Sequence, residues 1–348
     1  MGDIHDILAR LATAQTLGEH ETERLFEMLL TGGLDEAQIG AILALLATRP
    51  PTADELTGAA RVMRKHVTPV PFRVPDGGVL LDTCGTGGTP KAFNVSTVSA
   101  IIAAAVNPPP GRPRVHVAKH GNRSRTGRGS AEVLAALGIN VDASPQTQAR
   151  CLREAGVCFC FAIHHHPAMK HAAASRRSLG IPTIFNTLGP LTNPAGADYQ
   201  VIGVYDPSLL DTVAETLRRL GTQAAAVLHA RDGLDEASLA DITDVAMLKR
   251  QSISKETIDP REVSLATASF ASLAAASVQE ASVLAVSIFN GNPGPRTDMA
   301  LLNTAVGLLT CGVADSLAQG IDLARSAISS GSAMSVFETL RRVSQEPS

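Results

Sequence analysis

The chain has 348 residues, of which 45 % are hydrophobic but only 3 % aromatic, and its formal net charge is −3. This length predicts two domains, or one large domain with an appendage, and the apolar content is enough for sizeable aliphatic cores. The weakly negative charge excludes a globally basic surface for nucleic acid or a membrane, although a local basic patch is compatible with it.

The cysteines and the N-terminus indicate the compartment. Five cysteines are scattered without the spacing of a disulfide framework, which predicts reduced thiols. Cys158 and Cys160 lie two residues apart, so in a strand they share one face, and we expect small buried hydrophobes rather than ligands. The N-terminus lacks a cationic apolar signal, and no uncharged apolar run reaches the ~20 residues of a membrane span. We therefore expect a cytoplasmic protein.

The first seventy residues show helical patterns only. Residues 39–46 carry an apolar stripe with the spacing of one helix face. Pro50 ends that helix, and Thr52 with Glu55 has the pattern of a capping box for the next. Residues 67–78 contain three prolines and are predicted to be a linker.

From residue 79 onward, short apolar runs alternate with helical patterns. This alternation indicates βαβ units and an α/β fold with a largely parallel central sheet. In such sheets ligands bind at the loops beyond the carboxyl ends of the strands. The predicted strands are Val79–Cys84, Val115–Lys119, Val157–Ala162, Gln200–Val204 and Ala224–His229. Within residues 250–285, a Ser/Ala-rich segment is predicted to pack as helix and loop.

A glycine-rich loop follows the first strand. Its GTGG sequence (residues 85–88) lets backbone N–H groups approach an anion closely. Asn94, Ser96 and Thr97 come where the next helix begins, and free N–H groups there favour phosphate. The alternative is a tight strand–helix turn with an N-cap. The loop matches neither a dinucleotide fingerprint nor a P-loop.

A basic loop follows the second strand. Residues 119–130 combine cations with glycine and serine, a composition that suits closure over a multiply charged anion such as pyrophosphate. A solvated basic loop is the alternative.

A histidine-rich segment follows the third strand. The side chains of three consecutive histidines (164–166) diverge, so we do not expect them to hold one metal ion. Arg176 comes seven residues after Met169, about two helical turns. The two can share one face, where the guanidinium could hold a carboxylate of an acceptor.

An acidic loop follows the fifth strand. Asp235 and Glu236 are adjacent in a glycine-containing turn, and their oxygens can gather magnesium. An ordinary acidic turn is the alternative.

Taken together, these segments resemble the anthranilate phosphoribosyltransferase family, in order and across nearly the whole chain. The LGPLTNPA and KHGN sequences are the most specific part of the match. The matching segments are GTGG…FNVST (85–97), KHGNRS (119–124), HHPAMKHAA (165–173), GIPTIFNTLGPLTNPA (180–195), DGLDE (232–236) and GPRTDMALLNTA (294–305).

The resemblance implies a small helical domain, residues 1–72 completed by about 167–187, joined to an α/β domain of residues 73–166 and 188–348. It also implies a homodimer and Mg²⁺ as cofactor. The implied reaction moves the 5-phosphoribosyl group from phosphoribosyl pyrophosphate to the amine of anthranilate, in tryptophan biosynthesis. Because an aromatic amine is already a nucleophile, no catalytic triad or enzyme nucleophile is expected, and positioning and electrostatics carry the reaction.

The resemblance also implies roles for individual residues. Those that would contact phosphoribosyl pyrophosphate are Gly85, Gly87, Gly88, Asn94, Ser96, Thr97 and Lys119. Those that would contact anthranilate are Gly85, Asn122 and Arg176, with Arg176 paired to the carboxylate. Those that would serve Mg²⁺ are Ser96, Asp235 and Glu236.

Two loops depart from the family pattern. The family usually continues GTGG with Asp-Gly, whereas residues 89–91 here are Thr-Pro-Lys. A Ser-rich stretch of the family is replaced by a shorter and more basic one at 125–128. The departures add Lys91, Arg125 and Arg128, which are compatible with anion binding.

Two alternative functions remain open at this stage. A pyrimidine nucleoside phosphorylase would share the overall fold, and a phosphorolysis assay would identify it. A non-enzymatic relative could bind nucleic acid through residues 119–128. The negative net charge and the retained Asp235–Glu236 pair argue against the second alternative.

Overall fold

The computed structural model of the protein describes residues 4–90, 92–123 and 127–347. Of the cations that the altered loops add, Lys91 and Arg125 lie outside the described residues, as does Ser124 at the end of the KHGNRS segment. Arg128 is described.

The N-terminal part is a helical bundle. Thr52 caps the fourth helix as predicted, because its hydroxyl accepts a hydrogen bond from the Glu55 N–H and the Glu55 carboxylate accepts one from the Thr52 N–H. Two later helices, α9 (Lys170–Leu179) and α10 (Ile184–Leu188), pack against this bundle. The first four helices are α1 (Ile4–Ala12), α2 (Glu19–Leu30), α3 (Glu36–Leu46) and α4 (Ala53–Lys65).

A seven-stranded sheet forms the centre of the larger part. Its spatial order is β3-β2-β1-β4-β5-β6-β7, with every neighbouring pair from β3 to β5 parallel and the last two strands antiparallel. The α/β fold with a largely parallel sheet is therefore confirmed. The strands are β1 (Gly78–Asp82), β2 (Arg114–Gly121), β3 (Val157–Phe161), β4 (Tyr199–Gly203), β5 (Ala224–Ala230), β6 (Thr243–Lys249) and β7 (Ser252–Ile258).

Two strands of the sheet were not among those predicted. One is β6, and the other is the edge strand β7 at residues 252–258. This strand is polar and mostly exposed, so it carries no apolar run that would mark it in the sequence.

The remaining helices cover the two faces of the sheet. The helices between the strands are α5 (Val95–Ala105), α6 (Ser130–Ala136), α7 (Pro145–Glu154), α8 (Ala162–His165) and α11 (Leu209–Arg219). The C-terminal helices are α12 (Phe270–Leu273), α13 (Val278–Phe289), α14 (Pro295–Thr310), α15 (Leu317–Ser329) and α16 (Ser332–Gln345). Two 3₁₀ turns occupy Pro167–Met169 and Pro260–Val263.

The apolar residues form two cores on opposite faces of the sheet. Successive residues of β5 belong alternately to one core and to the other, because successive side chains of a strand point to opposite faces of the sheet. Ala226 and Leu228 join the core beneath α5 and α14, whereas Ala225 and Val227 join the core that includes α11 and the helical bundle. The bundle and one face of the sheet thus share a single apolar core.

The strand order places a candidate site at a particular point. The chain runs from β1 outward to β3 in one direction and from β4 outward to β5 in the other. The order therefore reverses between β1 and β4, and ligands of open α/β sheets bind in the crevice outside the strand ends at such a switch point.

No helix in the described parts of the chain has both the length and the apolar character that crossing a membrane requires.

Candidate active site at the switch point

The glycine-rich loop turns back over the end of β4. Gly87 and Gly88 have φ of +62° and +100°, the left-handed region that glycine enters without a steric penalty. Thr86 fixes the turn, since its N–H donates to the Gly203 carbonyl at 2.8 Å and its hydroxyl accepts from the Tyr205 N–H at 3.1 Å. These bonds hold the predicted loop at the carboxyl ends of β1 and β4.

The acidic loop after β5 lies directly against the glycine-rich loop. A Cβ on Gly203 would come within 1.6 Å of the Asp235 carbonyl oxygen, so only glycine fits there. A Cβ on Gly85 would lie 2.9 Å from the Gly203 carbonyl oxygen and 3.4 Å from Asp235 Oδ2. The Thr89 hydroxyl also donates a hydrogen bond to Asp235 Oδ1. Three loops after β1, β4 and β5 therefore meet at one point.

Their meeting point is a pocket at the switch point. Four of the residues that line this pocket were predicted from the sequence to bind phosphate or magnesium, and the other lining residues were not predicted. The predicted residues in the lining are Gly85, Ser96, Asp235 and Glu236. The others are Thr83, Ser99, Val201, Gly203, Leu228 and Asn303.

Hydrogen bonds from α14 and within the loop itself fix the acidic loop after β5. Asn303 of α14 accepts from the Ala237 N–H at 2.9 Å and donates to the Ala237 carbonyl at 2.8 Å. Asp232 accepts from the Ser238 hydroxyl at 2.6 Å, so this carboxylate is used within the loop. Asn303 lay in a matched segment, but nothing in the sequence assigned it this contact.

The start of α5 lies beside the pocket. Asn94 occupies the N-cap position without capping the helix; its amide donates to the Arg128 carbonyl at 3.4 Å. Thr97 donates to the Ser130 hydroxyl at 3.1 Å, and the Ser96 carbonyl accepts from the Thr83 hydroxyl at 2.9 Å. The N-terminus of this 11-residue helix carries the partial positive charge that favours an anion.

A buried polar cluster lies beneath the glycine-rich loop. Asp82 ends β1 with no exposed surface, and its carboxylate accepts from Asn193 Nδ2 at 2.7 Å and from the His120 N–H at 3.1 Å. Lys119 is only 4 % exposed, and its Nζ donates to the Thr83 carbonyl at 3.3 Å. Lys119 was expected to contact the phosphates of the substrate, and the structure places its side chain beneath the glycine-rich loop, outside the lining of the pocket.

Burial controls the protonation of this cluster. It raises the pKa of Asp82 to about 6, although the positive charge of Lys119 and the hydrogen bonds to the carboxylate act in the opposite direction. His120 lies against His166, with their Nε2 atoms 3.3 Å apart, and burial lowers the pKa of both rings. Both imidazoles are therefore neutral near pH 7.

The three consecutive histidines serve three different partners. His164 pairs with Asp142 at 2.8 Å, the His165 ring bonds to the Thr68 carbonyl at 2.7 Å, and His166 contacts His120. Within the described residues, no group of three or more His, Cys, Asp or Glu side chains could hold a metal ion.

Of the predicted acceptor residues, Gly85 lines the pocket, whereas Asn122 and Arg176 lie outside its lining. The Arg176 guanidinium lies 5.1 Å from the centre of the Phe185 ring, and burial lowers its pKa. No acidic side chain in the described ranges pairs with it. Asn122 is exposed, and its Oδ1 accepts from the Arg123 N–H at 2.8 Å.

Comparison with known proteins gives the family. The description "Glycosyl transferase family, helical bundle domain" matches residues 5–67, and "Glycosyl transferase family, a/b domain" matches residues 77–334. Anthranilate phosphoribosyltransferase of Petrotoga mobilis is 42 % identical over 335 residues, covering 96 % of this chain and 94 % of that protein. The enzyme of Moorella thermoacetica is also 42 % identical over 335 residues, covering 96 % of both chains. The chain belongs to the anthranilate phosphoribosyltransferase family.

Solved structures agree. The crystal structure of anthranilate phosphoribosyltransferase from Thermus thermophilus superposes with a TM-score of 0.88 at 35 % identity, covering 97 % of this chain and 99 % of that one. The Saccharomyces cerevisiae enzyme, in complex with PRPP and Mg, has a TM-score of 0.84 at 23 % identity, covering 98 % and 97 %. The predicted family and enzyme class, a glycosyltransferase of tryptophan biosynthesis, are confirmed.

The close approach at Gly203 gives a first prediction. Gly203→Ala should push the Asp235 loop away from the sheet, costing about 3 kcal/mol of unfolding free energy, because a buried Cβ cannot share the space of a backbone carbonyl. Denaturant unfolding measures this. Gly40→Ala is the matched control: nothing lies within 4 Å of its Cβ, so alanine in that helix should stabilise by about 0.5–1 kcal/mol. Equal effects at the two sites would contradict the packing argument.

The buried carboxyl gives a second prediction. The folded protein holds the Asp82 proton more tightly than the unfolded chain, so this carboxyl favours folding below pH 3.8, and the contribution disappears as pH rises through about 6. Relative to Asp82→Asn, the wild type should lose about 2–3 kcal/mol of unfolding free energy between pH 4 and pH 7. Denaturant unfolding across this range measures the difference. Parallel pH curves for the two proteins would show that Asp82 titrates normally.

Proposed function

We propose that the pocket outside β1, β4 and β5 binds phosphoribosyl pyrophosphate with Mg²⁺, and that anthranilate approaches from the side of Arg176. The observation that carries the proposal is the convergence of Gly85, Ser96 and the Asp235–Glu236 pair in one pocket. A glycine loop with a helix N-terminus suits a phosphate, and two carboxylates suit a hard divalent cation.

The residues fit magnesium better than a transition metal. The pocket offers two carboxylates and the Ser96 hydroxyl, all of them oxygen donors, without imidazole or thiolate in its lining. Magnesium is usually held by one or two carboxylates together with substrate phosphates. A structural neighbour, the yeast enzyme, was solved with PRPP and Mg. When bound, Mg²⁺ would neutralise charge on the departing pyrophosphate.

The proposed contacts are those that the sequence indicated. Those for phosphoribosyl pyrophosphate are Gly85, Gly87, Gly88, Asn94, Ser96, Thr97 and Lys119. Those for anthranilate are Gly85, Asn122 and Arg176. Those for Mg²⁺ are Ser96, Asp235 and Glu236.

The reaction needs little covalent help from the protein. The bond from the sugar carbon to pyrophosphate breaks as a bond to the anthranilate nitrogen forms, and the amine proton leaves to solvent. The loop amides and the start of α5 would hold the phosphates, so that the sugar carbon faces the amine. The lining of the pocket contains no histidine, which is consistent with a site that works without a strong general base.

Arg176 would recognise the acceptor carboxylate. A partly buried guanidinium without an acidic partner is costly unless a ligand supplies the anion, and an aromatic acid offers a carboxylate for the guanidinium beside the Phe185 ring. The yeast neighbour has also been solved with 4-fluoroanthranilate.

The contacts of the basic residues in 119–128 argue against the nucleic-acid alternative. Lys119 is buried, Arg123 lies 5.7 Å from the centre of the Phe161 ring, and Arg128 donates to the Ala275 carbonyl at 2.8 Å. Three of its cations thus have partners within the fold. Among the described residues no contact favours a nucleoside over anthranilate, and a phosphorolysis assay tests that alternative.

We also propose a cytoplasmic homodimer. All five cysteines are free thiols, which agrees with a reducing compartment. Sedimentation of the purified chain tests the dimer, which rests on the family resemblance.

The first functional test follows anthranilate fluorescence with phosphoribosyl pyrophosphate and Mg²⁺. Arg176→Ala should raise KM for anthranilate roughly 10–100-fold, because a charge-assisted contact to the carboxylate is lost. Arg177→Ala is the matched control, since Arg177 is the adjacent, exposed arginine. Equal effects of the two substitutions would remove Arg176 from the acceptor site, and no turnover by the wild type would refute the proposed reaction.

The metal site can be tested without turnover. The Thr89 hydroxyl holds one oxygen of Asp235, and loss of a hydrogen-bonding partner of a metal ligand typically weakens metal affinity about 10–100-fold. Thr89→Val should therefore weaken Mn²⁺ binding about tenfold, measured by the EPR signal of the free ion, whereas Thr89→Ser should bind like the wild type. Asp235→Asn is the positive control. Unchanged or tighter binding by Thr89→Val would show that the hydroxyl does not orient a metal ligand.

A further inference from the structure

Three loops close a circuit around one small residue, Ala275. The Ala275 N–H donates to the Ala92 carbonyl at 2.6 Å, and the Ala275 carbonyl accepts from Arg128 Nη1 at 2.8 Å. The circuit closes through Asn94, whose amide donates to the Arg128 carbonyl at 3.4 Å. Ala275 is 4 % exposed, so these bonds lie largely out of water. The circuit links the segment before α5, the loop before α6 and the turn before α13.

The turn that carries Ala275 is fixed on its other side. Arg296 of α14 donates to the Ala274 carbonyl at 2.6 Å and to Glu280 Oε1 at 3.2 Å. The other oxygen of Glu280 accepts from the Ala276 N–H at 2.8 Å. Residues 274–276 are therefore anchored to both α13 and α14, and they offer a rigid support to the two loops that lean on them.

Arg128 is the residue through which the loop before α6 reaches this support. Its neighbours are Gly127 and Gly129, which have no side chains to make such a contact. Gly127 also has a φ of +68°, so the backbone turns sharply just before Arg128. A guanidinium can donate to a buried carbonyl at the end of a long side chain, which a serine in the same place could not reach.

We propose that Arg128 is a positioning residue for phosphoribosyl pyrophosphate, which locks Asn94 and the start of α5 against the 274–276 turn instead of contacting the pyrophosphate itself. This inference rests on the proposed function, because Asn94 is one of the residues assigned to that substrate. It gives a structural purpose to a cation of the shortened loop that composition alone assigned to anion binding.

The two roles predict different kinetics. If the Arg128 guanidinium only holds the loop before α6, it acts through the 274–276 turn. Removing the Arg296 contact on the other side of that turn should then weaken binding of phosphoribosyl pyrophosphate in the same way. A guanidinium that contacts the substrate acts independently of the turn, and its contribution should fall as salt screens the charge of the substrate. Variants that act through one structural unit are non-additive, whereas independent ones multiply.

The test is a double-mutant cycle of Arg128→Ala and Arg296→Ala in the fluorescence assay. Arg128→Ala should raise KM for phosphoribosyl pyrophosphate about tenfold, with kcat and KM for anthranilate changing less than about threefold. Arg296→Ala should raise the same KM, and the double variant should be little worse than Arg128→Ala alone. The ratio of variant to wild type should not change with added KCl.

Two controls separate the outcomes. Arg123→Ala removes a cation of the same stretch outside the circuit, and it should leave the KM for phosphoribosyl pyrophosphate within about threefold of the wild type. Arg128→Lys keeps a donor, and it should restore most of the affinity if Arg128→Ala folds poorly by circular dichroism. A wild-type-like KM for Arg128→Ala, or multiplicative and salt-sensitive effects, would overturn the inference. An inactive wild type would instead refute the proposed function.

Discussion

The site depends on one buried carboxylate. Asp82 ends β1 and accepts hydrogen bonds from the backbone of β2 at His120 and from the side chain of Asn193 in the loop before β4. Asn193 also donates to the Ala118 carbonyl at 2.7 Å. A carboxylate out of water is tolerated only when it is hydrogen-bonded and close to positive charge, which Lys119 supplies. The cluster therefore fixes the end of β1, from which the glycine-rich loop begins, against β2 and the segment before β4.

Some of this arrangement follows from sequence because it is local. Short apolar runs that alternate with helical patterns identified β1 to β5, since each signal lies within a few neighbouring residues. Glycine followed by hydroxyl residues likewise marked the glycine-rich loop that is proposed to bind phosphate. The edge strand β7 was missed because it buries almost nothing. The roles of Asp82 and Asn193 were missed because they depend on contacts between residues 111 positions apart.

Composition was least informative about the cations. The basic stretch indicated an anion, yet the environment of each side chain decides what its charge does. Lys119 is buried beneath the loop, Arg123 lies over an aromatic ring and Arg128 donates to a carbonyl. A sequence gives the number and spacing of charges, whereas their use depends on which backbone carbonyls and rings the fold brings within reach.

Donor and acceptor binding are assigned to different layers of the molecule. The residues proposed for phosphate and Mg²⁺ lie in loops beyond strand ends and at the start of α5, whereas Arg176, which is proposed for the acceptor, lies on α9, which packs with the helical bundle. Arg64, in the last turn of α4, joins the layers, since its Nε donates a hydrogen bond at 2.7 Å to the carbonyl of Leu191, just before Asn193. The bundle also shares its apolar core with one face of the sheet. Any movement of the bundle would therefore change the distance between the two substrates, so alignment of the amine with the sugar carbon depends on packing remote from both.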